Sequence, residues 1–159
     1  MGFGNLLTHC LLDVCYTIVV ACCTEYGTSK LNQLQSKKIF TDVTDFLTTE
    51  GWMKVVDATS DTYKKMGGLY VIVNNTSIAL PVNFCWLQPK AYKDSMILYF
   101  YVPVEITYGL LPLMKKKIDR VINIKSVCGM VSLPTNAAYC VSKHTLEPWS
   151  DCLRCEMQE

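Results

Sequence analysis

Short apolar runs alternate with longer amphipathic segments along this chain. Tyr16–Cys22 (YTIVVAC) and Leu69–Val73 (LYVIV) are continuous apolar runs rich in β-branched residues, the pattern of strands buried on both faces. Arg120–Ile124 (RVINI) and a shorter stretch, Lys38–Thr41, read as further strands. Between them the apolar positions recur at helical spacing. Helices are expected at 5–14, directly after Gly2-Phe3-Gly4, and at 26–35. Another is expected near 45–64, where Asp42 and Thr44 end the preceding strand and Gly67-Gly68 ends the helix. A loop rich in Pro, Asn and Trp then leads into a long apolar helix over 89–115, and a final helix runs from about 137 to the end. Strand–helix alternation with continuous apolar strands predicts a parallel sheet wrapped by helices on both faces. No repeat or low-complexity segment interrupts it, so residues 1–159 read as one domain without linkers.

Composition narrows the classes. With 50% apolar residues the chain can build a sizeable core. A net charge of +1, from 15 basic and 14 acidic residues mixed along the sequence, gives no electrostatic case for nucleic acid or an acidic partner. Lys115-Lys116-Lys117 reads as a solvated helix end. The nine cysteines lie mostly in apolar stretches and no secretory signal precedes them, so they read as reduced, buried, small hydrophobes. Cys152-Leu-Arg-Cys155 has redox or metal spacing without a second ligand pair, and no metal site is expected. Met96–Met114 holds one charge, Glu105, but also Pro103 and Pro112, which favour a buried helix over a membrane span. Two overlapping glycosylation sequons at Asn74–Ser77 follow a strand expected to be buried, which argues against their modification.

The chemistry centres on Tyr139-Cys-Val-Ser-Lys143. Residues four apart share a helix face, so the phenol and the ammonium point the same way. A nearby cation favours phenolate and prepares tyrosine to exchange a proton with an alcohol or carbonyl oxygen. Ser126 lies thirteen residues earlier, at the carboxyl end of the RVINI strand, where open α/β sheets bind ligands.

Asn74-Asn75 after one strand, Ser126 after the next and Tyr139 on the following helix resemble, in that order, the short-chain dehydrogenase/reductase family. GFGNLL at Gly2–Leu7, ACCTEYG at Ala21–Gly27, TDVTD at Thr41–Asp45, LLPLMKK at Leu110–Lys116, RVINI and YCVSK are similar to its branch of retinol and 17β-hydroxysteroid dehydrogenases. The Pro134 loop and SDCLRCEM at Ser150–Met157 look closer to D-3-hydroxybutyrate dehydrogenase of the same branch. The resemblance implies an α/β fold with a Rossmann-like, doubly wound parallel sheet. It implies an NAD(P)-dependent oxidoreductase that interconverts an alcohol and a ketone or aldehyde on a retinoid, steroid or similar small lipophilic substrate. Tyr139 is then the acid/base, Lys143 lowers its pKa and holds the nicotinamide ribose, and Ser126 positions the substrate oxygen. Gly2 and Gly4 belong to the glycine-rich turn at the pyrophosphate, Asp42 touches the adenine and Asn74 lines the cofactor cleft. Cys22-Cys23-Thr24 offers neither the carboxylate typical of NAD binding nor an arginine for the NADP phosphate, and the lack of a base tilts the choice to NAD. The helices near 89–115 and 137–157 commonly form the family's subunit interface, implying a homo- or hetero-oligomer; membrane association is not expected of this chain. Location is cytoplasmic by default, with the endoplasmic reticulum surface as the alternative that anchored relatives imply.

Departures from the family pattern define a second expectation. The family's first strand, its Thr-Gly pair and its later strands have no counterpart here, so the sheet is expected to be incomplete. Tyr99 stands where the family has a catalytic asparagine, and Thr76-Ser77 stands for Ala-Gly. Lys125 replaces a small hydroxyl residue before Ser126. Pro103 falls inside the long helix, at a cost of about 3 kcal/mol. The alternative to an enzyme is therefore a catalytically inactive remnant that acts at most as a partner of a full-length relative.

Overall fold

The computed structural model describes residues 2–34, 36–76, 82–114 and 119–157. It comprises two compact units, Met1–Tyr70 with Ile106–Asp119, and Val71–Glu105 with Arg120–Glu159.

The first unit holds α1 (Phe3–Asp13), β1 (Ile18–Cys22), α2 (Glu25–Asn32), β2 (Ile39–Val43) and α3 (Thr49–Met66). β1 and β2 pair in parallel from Ile18 opposite Ile39 to Cys22 opposite Val43, and the Thr44 N–H extends the ladder to the Cys22 carbonyl at 2.8 Å. Asp42 therefore sits inside β2. The helix expected from residue 45 begins later, because the Thr48 hydroxyl caps it by accepting from the Gly51 N–H at 3.1 Å. α3 ends at Gly67, whose φ of +80° is one that other residues adopt only with strain. Leu31, Phe46, Ile106 and Leu110 form the unit's buried apolar set. Val56 of α3 packs on Gly109, where an added Cβ would lie 3.0 Å from both valine methyls.

The second unit holds β3 (Val71–Asn74), α4 (Pro89–Met96), a π-helical turn (Ile97–Tyr101), the start of α5 (Val102–Leu110), β4 (Arg120–Asn123) and α6 (Ala137–Glu156). β3 and β4 are parallel, Val71 opposite Arg120 through Asn74 opposite Asn123, and the Ile124 N–H continues to the Asn74 carbonyl at 2.9 Å. Ile72, Tyr99, Val102, Cys128, Ala138, Cys140 and Leu146 are buried here.

Three expectations change. The apolar strands are not buried on both faces: β1 is half-buried throughout and only Ile72 of β3 is buried. Each sheet has two strands among the described residues, so each strand is covered along one edge. Of the nine cysteines, all free, only Cys128 and Cys140 are buried, because Cys10, Cys152 and Cys155 lie on outward helix faces and Cys15, Cys23 and Cys85 on connections. Pro103 does not break the long helix. It has no N–H for the Tyr99 carbonyl four residues back, and the backbone adapts with the π turn, in which the Val102 N–H bonds to the Ile97 carbonyl five residues back. By length and composition alone Pro89–Leu113 is apolar enough to cross a membrane. The triple lysine and Ser77 lie outside the described residues.

Gly51 offers a direct test of the α3 entry. A Cβ there would lie 1.9 Å from the Asp45 carbonyl oxygen. Gly51→Ala is expected to lower stability by about 1–3 kcal/mol, read as a lower urea midpoint. An unchanged midpoint would contradict this packing.

Candidate active site

β4 delivers the chain to a loop that lies against α6. Ser126, in extended backbone, accepts the Cys128 N–H on its Oγ at 3.2 Å and so caps a single 3₁₀ turn, Val127–Gly129. The hydroxyl proton is then what Ser126 can give to a substrate oxygen. Gly129 is needed for the close approach, since a Cβ there would lie 3.0 Å from the Lys143 carbonyl and 3.2 Å from Glu147 Oε1. The Val82 N–H holds the end of the loop through the Thr135 carbonyl at 2.8 Å. Thr135 itself has φ +65°, a strained value for a β-branched residue.

Tyr139 occupies the first turn of α6, half-buried, and Lys143 follows one turn later at 3% exposure. The Lys143 ammonium donates to the Ile124 carbonyl at 2.9 Å. It lies 5.8 Å from the centre of the Tyr139 ring and 5.3 Å from that of Tyr99. The two rings meet edge-on, 5.5 Å apart at 88°. Burial pushes the Lys143 ammonium below its ordinary 10.5. The spacing argument thus holds for the phenol–lysine pair, and Ser126 comes two residues after the carbonyl that anchors the lysine.

Two residues with no motif of their own join this set. Glu147, one turn beyond Lys143, pairs with Lys125 and so ties the residue before Ser126 to α6. Asn123 accepts from Asn74 Nδ2 at 2.8 Å and donates to Ser150 Oγ at 2.9 Å, while Ser150 donates to the Leu146 carbonyl at 2.6 Å. Asn74 is therefore the last residue of β3 and one end of a polar chain running to α6. Asparagine at the end of each of two apolar strands was the available signal for Asn123; Glu147 had only its helical spacing from Lys143.

Gly2, Gly4 and Asp42 belong to the first unit, separate from the Ser126, Tyr139, Lys143 and Asn74 set. α1 begins at Gly2 with no side-chain cap and no acid in its first turn, and nothing lies within 4 Å of where a Gly2 Cβ would stand. Its leading N–H groups suit a phosphate. At the carboxyl end of β2 the buried Thr44 hydroxyl has no hydrogen-bond partner among the described residues, which suits a polar ligand there. At the carboxyl end of β1, burial pushes the Cys22 and Cys23 thiols up, with Cys23 adding to the effect on Cys22 and Asp45 to that on Cys23. These groups fit a dinucleotide. Among the described residues no cluster of three or more metal-ligating side chains occurs.

A helix-borne Tyr–Lys pair behind a strand-end serine, in parallel α/β units, is the architecture of a class of nicotinamide-dependent oxidoreductases, and sequence comparison agrees. The short chain dehydrogenase model matches residues 2–159. The chain belongs to that family, whose members bind NAD(P) and act on small alcohol or carbonyl substrates. It is 35% identical to retinol dehydrogenase 7 of Rattus norvegicus over 98% of this chain and 49% of the relative. It is 32% identical to 17-beta-hydroxysteroid dehydrogenase type 6 of Homo sapiens over 99% of this chain and 49% of that one. The chain thus spans about half the length of these relatives. A solved short-chain dehydrogenase from Streptomyces avermitilis superposes with a TM-score of 0.87 at 23% identity, over 99% of this chain and 58% of its own. The fold is accordingly Rossmann-like and incomplete relative to such structures.

The buried lysine makes a pH prediction. Its folded value lies below 10.5, so between the two values the unfolded chain binds more protons and stability rises with pH. Whatever the offset at neutral pH, the stability of the wild type relative to Lys143→Met should increase as pH rises towards 10.5. Denaturant titrations at successive pH values would refute this by showing a constant or falling difference.

Proposed function

We propose that this chain is a partial dinucleotide-binding domain, over residues 1–159, of an NAD(P)-dependent oxidoreductase that interconverts an alcohol and a ketone or aldehyde on a retinoid, steroid or similar lipophilic molecule. The observation that carries this reading is the Lys143 ammonium held beside the Tyr139 ring, with Ser126 two residues from the carbonyl that anchors it. Ser126 donates its hydroxyl proton to the substrate oxygen. The phenol of Tyr139 exchanges a proton with that same oxygen. The nicotinamide, when bound, supplies or accepts the hydride. Lys143 would also hold its ribose, Gly2 and Gly4 the pyrophosphate, Asp42 the adenine, and Asn74 would line the cleft. Cys22-Cys23-Thr24, at the end of β1, supplies no base for the NADP phosphate, which favours NAD over NADP.

The loop between Ser126 and Tyr139 supports a lipophilic substrate. Val127, Met130, Val131 and Leu133 are all exposed there, Met130 at 78%, and give the catalytic side an apolar rim. Retinol and 17-beta-hydroxysteroid dehydrogenases among the relatives agree with that rim. A substrate of this kind fits a cytoplasmic location at the endoplasmic reticulum surface. Association with itself or a full-length relative would use the helices near 89–115 and 137–157, where Tyr101 and Val141 are exposed.

One observation favours the second reading, an inactive remnant. Tyr99, standing where the family has a catalytic asparagine, packs on both reactive side chains.

The thermal melt of the full chain with NADH and with NADPH separates the two. The enzyme reading expects a cooperative melt raised by NADH, by about 3 kcal/mol at a hundredfold excess over the dissociation constant. It also expects turnover of retinol, a steroid or 3-hydroxybutyrate that falls roughly 10²–10⁴-fold in Tyr139→Phe while the nucleotide shift persists. A melt indifferent to both nucleotides would leave only the remnant.

A further inference from the structure

Lysine is the side chain least suited to burial, and Lys143 is 3% exposed. Its head must therefore be held by the protein. The Ile124 carbonyl takes one donor at 2.9 Å. Beside the head stand two aromatic rings, Tyr99 at 5.3 Å and Tyr139 at 5.8 Å, and both distances are within reach of a cation–π attraction. Tyr99 is itself 4% exposed and meets the Tyr139 ring edge-on. It sits in the middle of the π turn forced two residues later by Pro103, so its place is set by backbone and not by a free rotamer choice.

We propose that Tyr99 is a positioning residue whose ring face holds the Lys143 ammonium against the Ile124 carbonyl and fixes the orientation of the Tyr139 ring. The catalytic meaning of this bracket rests on the alcohol–carbonyl reading above, but its physical content does not. The ring contributes its π face as well as its bulk. A phenylalanine at this position therefore preserves the bracket, and an aliphatic residue of similar size packs without holding the charge.

The test is reductive methylation of the full chain with formaldehyde and cyanoborohydride, followed lysine by lysine in a mass spectrometer, with exposed Lys64 and Lys90 as internal references. In the wild type and in Tyr99→Phe, Lys143 should label far more slowly than the references. In Tyr99→Leu its labelling should rise about tenfold, the loss of one cation–π contact, while Lys64 and Lys90 are unchanged. Equal protection in Tyr99→Leu, or loss of protection in Tyr99→Phe, overturns the proposal. Should Tyr99→Leu fail to melt cooperatively, the wild type alone decides. The Lys143 Cε protons must show an upfield ring-current shift in the wild-type NMR spectrum that is absent from exposed lysines such as Lys64, and ordinary lysine shifts would refute the bracket. No nucleotide enters these measurements. Lost protection with a retained NADH shift sinks this inference alone, and retained protection without any nucleotide shift sinks only the enzymatic reading.

Discussion

A buried ammonium can persist only where its hydrogens have acceptors, and the bond from Lys143 Nζ to the Ile124 carbonyl supplies one at 2.9 Å. The second unit is organised around it. The carbonyl belongs to the residue just past β4, and the N–H of that same residue continues the ladder to Asn74 at the end of β3. One residue, Ile124, therefore joins the strand pair to α6, with Ser126 two residues downstream and Tyr139 one turn upstream of the lysine. The polar chain Asn74–Asn123–Ser150 makes a second tie between the same elements, and Lys125–Glu147 a third. Each alone is modest; together they tie the strand ends and the Ser126 loop to α6.

The irregular backbone of this unit collects around the same point. The π turn places Tyr99 beside Lys143, Gly129 lets the loop touch α6, and Thr135 carries a positive φ four residues before Tyr139. Irregularities of this kind persist where surrounding contacts over-determine them, and such places are commonly sites of function. The first unit shows a different economy. Its helices start at hydroxyl caps, Thr24 and Thr48, except for α1, which starts bare at Gly2. Omission of a cap at one helix out of three is consistent with an anion taking its place.

Much of this was legible in the linear pattern. Continuous apolar runs marked the strands and helical spacing the α-helices, in the right order, whereas the 3₁₀ and π turns at Phe84–Trp86, Ile97–Tyr101, Leu111–Leu113 and Val127–Gly129 left no such pattern. Spacing likewise identified the Tyr139–Lys143 face. Boundaries slipped where a cap overruled the pattern, as at Thr48, and where β2 ran on through Asp42. Cysteine burial was misjudged because an apolar run does not say which of its positions faces out.

What the sequence determined by itself is local: which segments extend, which coil, and which side chains share a helix face. Those follow from dihedral preference and period, which involve only near neighbours. Tertiary structure decided that the helix continues through Pro103 by way of a π turn, that Tyr99 and Ile124 meet Lys143, and that Asn123 and Glu147 tie β4 and the residue before Ser126 to α6. Those contacts join residues 19 to 27 positions apart for Ile124–Lys143, Lys125–Glu147 and Asn123–Ser150. No periodicity carries information over such distances; only the packing of strand ends against α6 brings the partners together.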